Sequence, residues 1–150
     1  MIKIDVFTQN KNWKRHISNP NRYIKNKANL INNSLKFFKN KNINLSILLA
    51  GSKEVRILNK KFRKKDKTTD VLSFPFYTTA DIKKLKNRNL YLGDIILNLD
   101  KIDKKNFKKD FNRLWIHGFL HLLGYKHYKN KDYYKMNRIE KLILKKIIDN

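Results

Sequence analysis

Apolar and polar residues alternate from the start of the chain. Ile2, Ile4 and Val6 are interleaved with Lys3 and Asp5, the period-two signature of a strand over 2–7. The period then changes. Asn19 before Pro20 has the form of a helix cap followed by proline at the first helical position. Ile24, Ala28, Ile31, Leu35 and Phe38 follow at helical spacing, and Asn40-Lys41-Asn42 breaks that helix. Residues 43–50 (INLSILLA) read as a buried strand. Gly51-Ser52 opens a helix with Val55, Leu58 and Phe62 on one face. A basic turn from Arg63 to Lys67 leads to a strand at 69–74, which Pro75 ends. Residues 78–89 are polar and lysine-rich and read as a loop or short irregular helix. Residues 90–97 (LYLGDIIL) form another strand. Two helices follow. One runs from about Lys108 to Leu123 with Phe111, Leu114, Trp115 and Leu122 as its stripe. The other runs from about Lys131 to Ile148 with Met136, Ile139, Ile143 and Ile147. Gly124 stands where a left-handed C-terminal cap is expected. Strands alternate with helices early and helices come as a run late. The pattern predicts an α+β fold, a small mixed β-sheet packed with helices, as a single domain over 1–150.

Composition adds limits to this picture. The chain has 150 residues, 41% of them apolar, enough for one buried core. Cysteine is absent. That excludes a disulfide framework, a disulfide-linked partner and a thiolate metal site, and leaves imidazole or oxygen as metal ligands. The alternating N-terminus does not have the form of a signal peptide, and no apolar run approaches the roughly 20 residues of a membrane span. The expectation is a cytoplasmic protein without a membrane partner.

The formal charge is +24, from 36 basic and 12 acidic residues. Such an excess points to a polyanion, nucleic acid first. Compositional drift is the other source, since lysine far outnumbers arginine and asparagine and isoleucine are heavily used. Either origin yields a field to which phosphates respond.

The chemistry concentrates at 117–127, His-Gly-Phe-Leu-His-Leu-Leu-Gly-Tyr-Lys-His. A helix puts His117 and His121 on one face, one turn apart. Gly124 lets the backbone turn, so that His127 can fold back to the same point. Four histidines scattered over 150 residues would make this spaced triple with a probability of roughly 0.003. Three neutral imidazoles on one point make a three-ligand zinc site with an open fourth position, the mark of a catalytic site. Zinc proteases carry glutamate directly after the first histidine. Here that position is Gly118, which removes a peptidase mechanism of that kind. His16 stands apart and reads as an exposed residue without a role.

These residues resemble the YbeY endoribonucleases, also called rRNA maturation factors. The family motif His-Gly-x-Leu-His-Leu-x-Gly-Tyr-Asp-His matches 117–127 at every specified position except Lys126, where the family has aspartate. Upstream, Leu58-Asn59, Phe62-Arg63-x-Lys65-Asp66 and Thr68-Thr69-Asp70-Val71-Leu72-Ser73-Phe74-Pro75 resemble a second block, and Leu92-Gly93-Asp94-Ile95 a third. Met136, Glu140 and Ile143-Leu144 fit the family's C-terminal helix. The resemblance implies an α+β fold with a zincin-like metal-binding arrangement and one zinc ion per chain on His117, His121 and His127. It implies cleavage of single-stranded RNA, 3′-end maturation of 16S ribosomal RNA with the small ribosomal subunit as partner, and ribosome quality control.

Arg63 matches the family's conserved arginine. With His117 it is a catalytic candidate, and it is also the substrate-binding candidate, since its guanidinium can clamp a phosphate. Asp70 and Asp94 can orient a ligand histidine or serve as structural pairs. Lysine at 126 can neither orient an imidazole as acceptor nor take a proton at neutral pH. Phe74, Tyr77 and Tyr125 can stack on bases but fit a core role better. Two other functions stay open: a ribosome-associated RNA-binding factor with a mainly structural zinc, and a metal-dependent hydrolase of a small anionic substrate.

Overall fold

The computed structural model describes residues 1–32 and 40–148. They form strands β1 (Ile2–Thr8), β2 (Asn42–Ala50), β3 (Val71–Pro75) and β4 (Asn89–Asn98). The helices are α1 (Pro20–Ile31), α2 (Ser52–Arg63), α3 (Thr79–Lys84), α4 (Phe107–Leu122) and α5 (Asn130–Ile148). The strands make one mixed sheet in the order β1-β2-β4-β3. β1–β2 and β2–β4 are parallel, and β3 runs antiparallel along the outer side of β4. The architecture is the mixed α+β one that the hydrophobic pattern predicts. Leu35 and Phe38, assigned by spacing to the first helix, lie outside the described residues.

One face of the sheet carries Ile4, Ile43, Leu45, Ile47, Ile95 and Leu97 into the main core. α1 packs on β1, α4 crosses β3 and β4, and α5 packs on α4 and α1. The opposite face is smaller. Leu48, Leu72 and Ile96 meet Val55 and Leu58 of α2 there, and a cavity of about 430 Å³ opens toward Phe7 and Phe62. Phe62, placed by helical spacing on the buried face of α2, is 59% exposed, because the small second core ends at Leu58 and Phe74.

Three details depart from simple periodicity. Pro75 stays in β3 as its last residue, an edge-strand position where proline is tolerated. A 3₁₀ turn over Lys11–Arg15 buries Trp13 completely, and its indole N–H donates to the Ala50 carbonyl at 2.9 Å. A bulge lies in the β2–β4 pairing, where Asn44 faces Tyr91 but Ser46 faces Asp94. The extra residue reverses the parity of β4. Leu90 and Leu92 point into the main core before the bulge and Ile95 and Leu97 after it, so Asp94 turns outward.

Two features hold the elements that carry candidate residues. Asn98, fully buried at the end of β4, donates through Nδ2 to Ser52 Oγ, Thr68 Oγ1 and the Thr69 carbonyl. It thereby ties the start of α2 and the 64–70 turn to the sheet. α4 buries ten of its 16 residues, among them Phe111, Leu114, Trp115 and Phe119. A buried residue of this kind is worth about 1.5–3 kcal/mol of transfer free energy, so α4 is the main apolar anchor of the fold. Its one buried polar side chain, Asn112, is satisfied by Tyr23 Oη at 2.9 Å and by the Trp115 indole at 3.1 Å.

α4 meets the sheet closely at Gly118. A Cβ there would lie 2.8 Å from Ile95 Cγ2 and 3.2 Å from Ser73 Oγ, closer than side chains pack. Gly118→Ala is expected to cost about 1–3 kcal/mol, the usual range for overpacking. Chemical denaturation should show a lower midpoint with an unchanged slope.

Candidate metal centre

His117 and His121 lie on the last two turns of α4. Behind them the helix ends in a Schellman arrangement. The Gly124 N–H donates to the His121 carbonyl at 2.9 Å and the Tyr125 N–H to the Leu120 carbonyl at 3.0 Å. Gly124 takes φ +83°, a conformation open to glycine and strained for other residues. The sharp reversal returns His127 toward the helix face.

The three rings converge. Their centroids are 4.7 Å apart for His117–His121, 4.9 Å for His121–His127 and 5.6 Å for His117–His127. One nitrogen from each lies within 4.8 Å of the other two. His121 Nδ1 donates to the Tyr125 carbonyl at 2.9 Å. In the neutral ring this leaves Nε2 as an acceptor, 3.1 Å from His117 Nε2. A backbone carbonyl behind the ring is the usual means of fixing a ligand histidine's tautomer. His117 Nδ1 faces Glu140 Oε1 of α5 at 3.5 Å. This donor set can hold one metal ion.

Electrostatics favour neutral imidazole at the centre of the set. Burial first, then the neighbouring His117, push the His121 pKa from 6.5 down to about 4, with smaller contributions from His127 and Arg63. A ligand histidine must be deprotonated, so this shift keeps His121 competent well below neutral pH.

Arg63 is the last residue of α2 and is exposed. Lys64 follows in the left-handed conformation at φ 59° and ends the helix. Asp66, the nearest acid in sequence, is taken by Arg56 at 2.7 Å and Lys60 at 3.0 Å, which lowers its pKa. The Arg63 guanidinium makes no ion pair or hydrogen bond among the described residues.

The carboxylates singled out in sequence do not reach the rings. Asp70 Oδ1 accepts from the Val71 N–H at 2.8 Å and from Thr69 Oγ1 at 3.1 Å, which shapes the turn into β3. Asp94 is exposed on the other face of the sheet and accepts from Tyr91 Oη at 2.6 Å. Phe74, Tyr77 and Tyr125 are half-buried against the two cores. Lys126 is exposed, its ammonium 5.7 Å from the centre of the Tyr128 ring. His16 is exposed and stacked on Phe107 at 4.3 Å, outside the triad. The contact of Glu140 with His117 was not read from sequence. The available signal was a carboxylate in the stripe Met136, Glu140, Ile143, Ile147, at spacings of four, three and four, since a charge on a buried helix face requires a partner.

A mixed sheet backed by a helix that ends in three converging imidazoles is the framework of a metal-dependent hydrolase. Comparison with known proteins specifies which one. The family model described as Endoribonuclease YbeY matches residues 7–148, and the chain belongs to that family. It is 43% identical to an Endoribonuclease YbeY of Pelagibacter ubique, covering 97% of this chain and 95% of the relative. It is 37% identical to one of Ehrlichia canis, covering 98% and 93%. The solution structure of TM1509 from Thermotoga maritima superposes with a TM-score of 0.63 at 20% identity, over 97% of this chain and 89% of that one, and shares the fold. Among the described residues no helix is long and apolar enough to cross a membrane.

The depressed His121 pKa sets a pH dependence. The unfolded chain takes up a proton near pH 6.5, the folded one only near pH 4. Between those values the unfolded state binds more protons, so stability falls as pH falls. The metal-free protein should therefore melt at progressively lower temperature from about pH 6.5 toward about pH 4. His121→Gln should flatten that part of the profile, as scanning calorimetry across the window would show.

Proposed function

We propose that this chain is a zinc-dependent endoribonuclease that cuts single-stranded RNA. Its role would be 3′-end maturation of 16S ribosomal RNA and ribosome quality control, with the small ribosomal subunit as partner. The whole of 1–150 would act as one metal-dependent hydrolase domain in the cytoplasm. The observation that carries this reading is the three-imidazole set itself. Among the described residues no fourth histidine, aspartate or glutamate joins it, and three protein ligands with one position left for water or substrate is the catalytic form of a zinc site. The same observation counts against a mainly structural zinc, which is usually closed by four protein ligands.

The spacing suits zinc. Two nitrogens on one tetrahedral zinc ion at about 2.0–2.1 Å stand roughly 3.3–3.4 Å apart. The Nε2 atoms of His117 and His121 are 3.1 Å apart. A zinc ion bound there supplies Lewis acidity toward a phosphoryl oxygen and lowers the pKa of water. The chain's own groups do the rest. His117, His121 and His127 fix the ion's position. Arg63, unpaired because Asp66 holds Arg56 and Lys60, grips the phosphate through two N–H donors and stabilises charge that develops on it. The net charge of +24 draws the strand in. Gly118 packs against Ile95 and offers no carboxylate, so proton abstraction falls to a group other than the glutamate of zinc proteases.

Three outcomes test this reading. Removal of metal by chelation, and His117→Ala or His121→Ala, should each abolish cleavage of single-stranded RNA. Cleavage that survives complete metal removal would overturn the proposal. Arg63→Ala should lower kcat/KM by about 10²–10³ with zinc content unchanged, and Arg63→Lys should restore only part of it. Cleavage at limiting RNA should weaken by orders of magnitude between about 50 and 200 mM salt. A salt-insensitive rate would favour a small anionic substrate instead.

A further inference from the structure

The three-ligand description omits one group that the C-terminal helix brings to the centre. α5 docks through Met136, Ile143 and Ile147, all buried. Glu140 sits within that stripe with its side chain only 14% exposed. Its Oε1 is fully buried and makes no hydrogen bond. Among the described residues only one other side-chain oxygen, on Asn59, shares that condition. The one basic group within ion-pair distance, among the described residues, is His117, whose Nδ1 lies 3.5 Å away. Glu140 is also the one carboxylate, among the described residues, within ion-pair distance of any of the three rings.

We propose that Glu140 is a positioning residue of the metal centre: its carboxylate accepts the Nδ1 proton of His117 and thereby holds that ring with Nε2 turned to the ion. The inference rests on the zinc reading above and names how one ligand is set.

The place of the proton on His117 decides which way the ring serves. His121 already donates from Nδ1 to Tyr125, so its Nε2 can only accept. If His117 carries its proton on Nε2, it donates to His121 across the 3.1 Å gap. Its bare Nδ1 lone pair then faces a buried carboxylate oxygen, two acceptors set against each other. If the proton is on Nδ1, it points at Glu140, and both Nε2 lone pairs point at the same place. That second state satisfies the orphaned oxygen and is the one a cation completes. A small rotation of the ring shortens 3.5 Å to hydrogen-bonding distance. Which ring nitrogen binds metal is set by the hydrogen bond the other makes. Glu140 and the Tyr125 carbonyl thus play the same part for His117 and His121.

Position separates this role from that of a general base. Glu140 meets His117 at Nδ1, the edge of the ring away from Nε2, so the imidazole lies between the carboxylate and the point of convergence. Charge gives a second reason for a carboxylate here. A divalent ion in a chain of net charge +24 gains from a nearby anion that does not occupy the open position.

The test uses full-length protein, with zinc binding and tautomer measured without RNA and single-stranded RNA cleavage by wild type assayed beside them. Zinc affinity is measured by competition with a chromophoric chelator for wild type, Glu140→Gln and Glu140→Leu. The His117 tautomer is read from long-range proton–nitrogen-15 correlations in the metal-free protein. Glu140→Gln, nearly isosteric, should weaken zinc binding about tenfold and Glu140→Leu up to about a hundredfold. The His117 proton should sit on Nδ1 in wild type and move to Nε2 in Glu140→Leu. A purely structural Glu140 would leave the tautomer in place. Equal zinc affinity in wild type and both variants, or a wild-type proton on Nε2, overturns the proposal. Should the leucine variant fail to fold, the glutamine variant decides the question by affinity and the wild-type protein by its tautomer. Wild type that binds zinc and cleaves RNA beside variants of unchanged affinity overturns the role of Glu140 alone. Wild type that binds zinc, shows the expected variant losses and leaves RNA uncut overturns the endoribonuclease reading alone.

Discussion

The close seating of α4 on β3 and β4 is the constraint on which the rest of the molecule depends. From Leu114 on, the helix is buried on nearly every side, so it must be covered by sheet on one side and by other elements elsewhere. Gly118 lets it approach Ile95 and Ser73 at a distance no side chain would allow. With that contact made, α4 lies against β3 and β4, and His117 and His121 stand half-buried on its last two turns. The Gly124 reversal and the docked face of α5 are built around that end of the helix.

The centre is an exception to the electrostatics of the chain. The chain as a whole is strongly basic, yet burial and the neighbouring His117 lower the pKa of His121 at its middle. A cationic field and a cation-binding site coexist because they use different atoms. The lysines set up a field that reaches out over a Debye length. The imidazoles act at contact distance, in a position where water is partly excluded. At the surface Asp66 pairs with Arg56 and Lys60 and leaves the terminal arginine of α2 without an acidic partner among the described residues.

Much of this was legible in the residues. The four strands and the major helices follow from periodicity, because each buries one face and the alternation records which. The triad was legible because two of its members are one helical turn apart and the third follows a glycine that must reverse the chain. What stayed hidden depends on contacts distant in sequence. Trp13 gives no period, and its place is fixed by the Ala50 carbonyl. Alternation from Leu90 and Leu92 aims Asp94 inward, and only the bulge opposite Asn44 and Ser46 turns it out. Helical spacing puts Phe62 on the apolar side of α2 but does not say how far the surface beneath extends. Glu140 was visible as a member of a motif, while its contact with His117, 23 positions earlier, required α5 to be docked.

The sheet order carries a consequence for how the site comes into being. Its central pairs join strands some forty residues apart, and such non-local parallel pairings form slowly because long loops must close first. His117 and His121, by contrast, become neighbours as soon as one helical turn exists, on a timescale of about a microsecond or less. A two-histidine chelate is therefore available long before the surface that receives α4. The later contributors, His127 and the face of α5, arrive as the tertiary structure closes. Metal captured early would be held loosely and exchange, and tight retention would report that the last helix has docked.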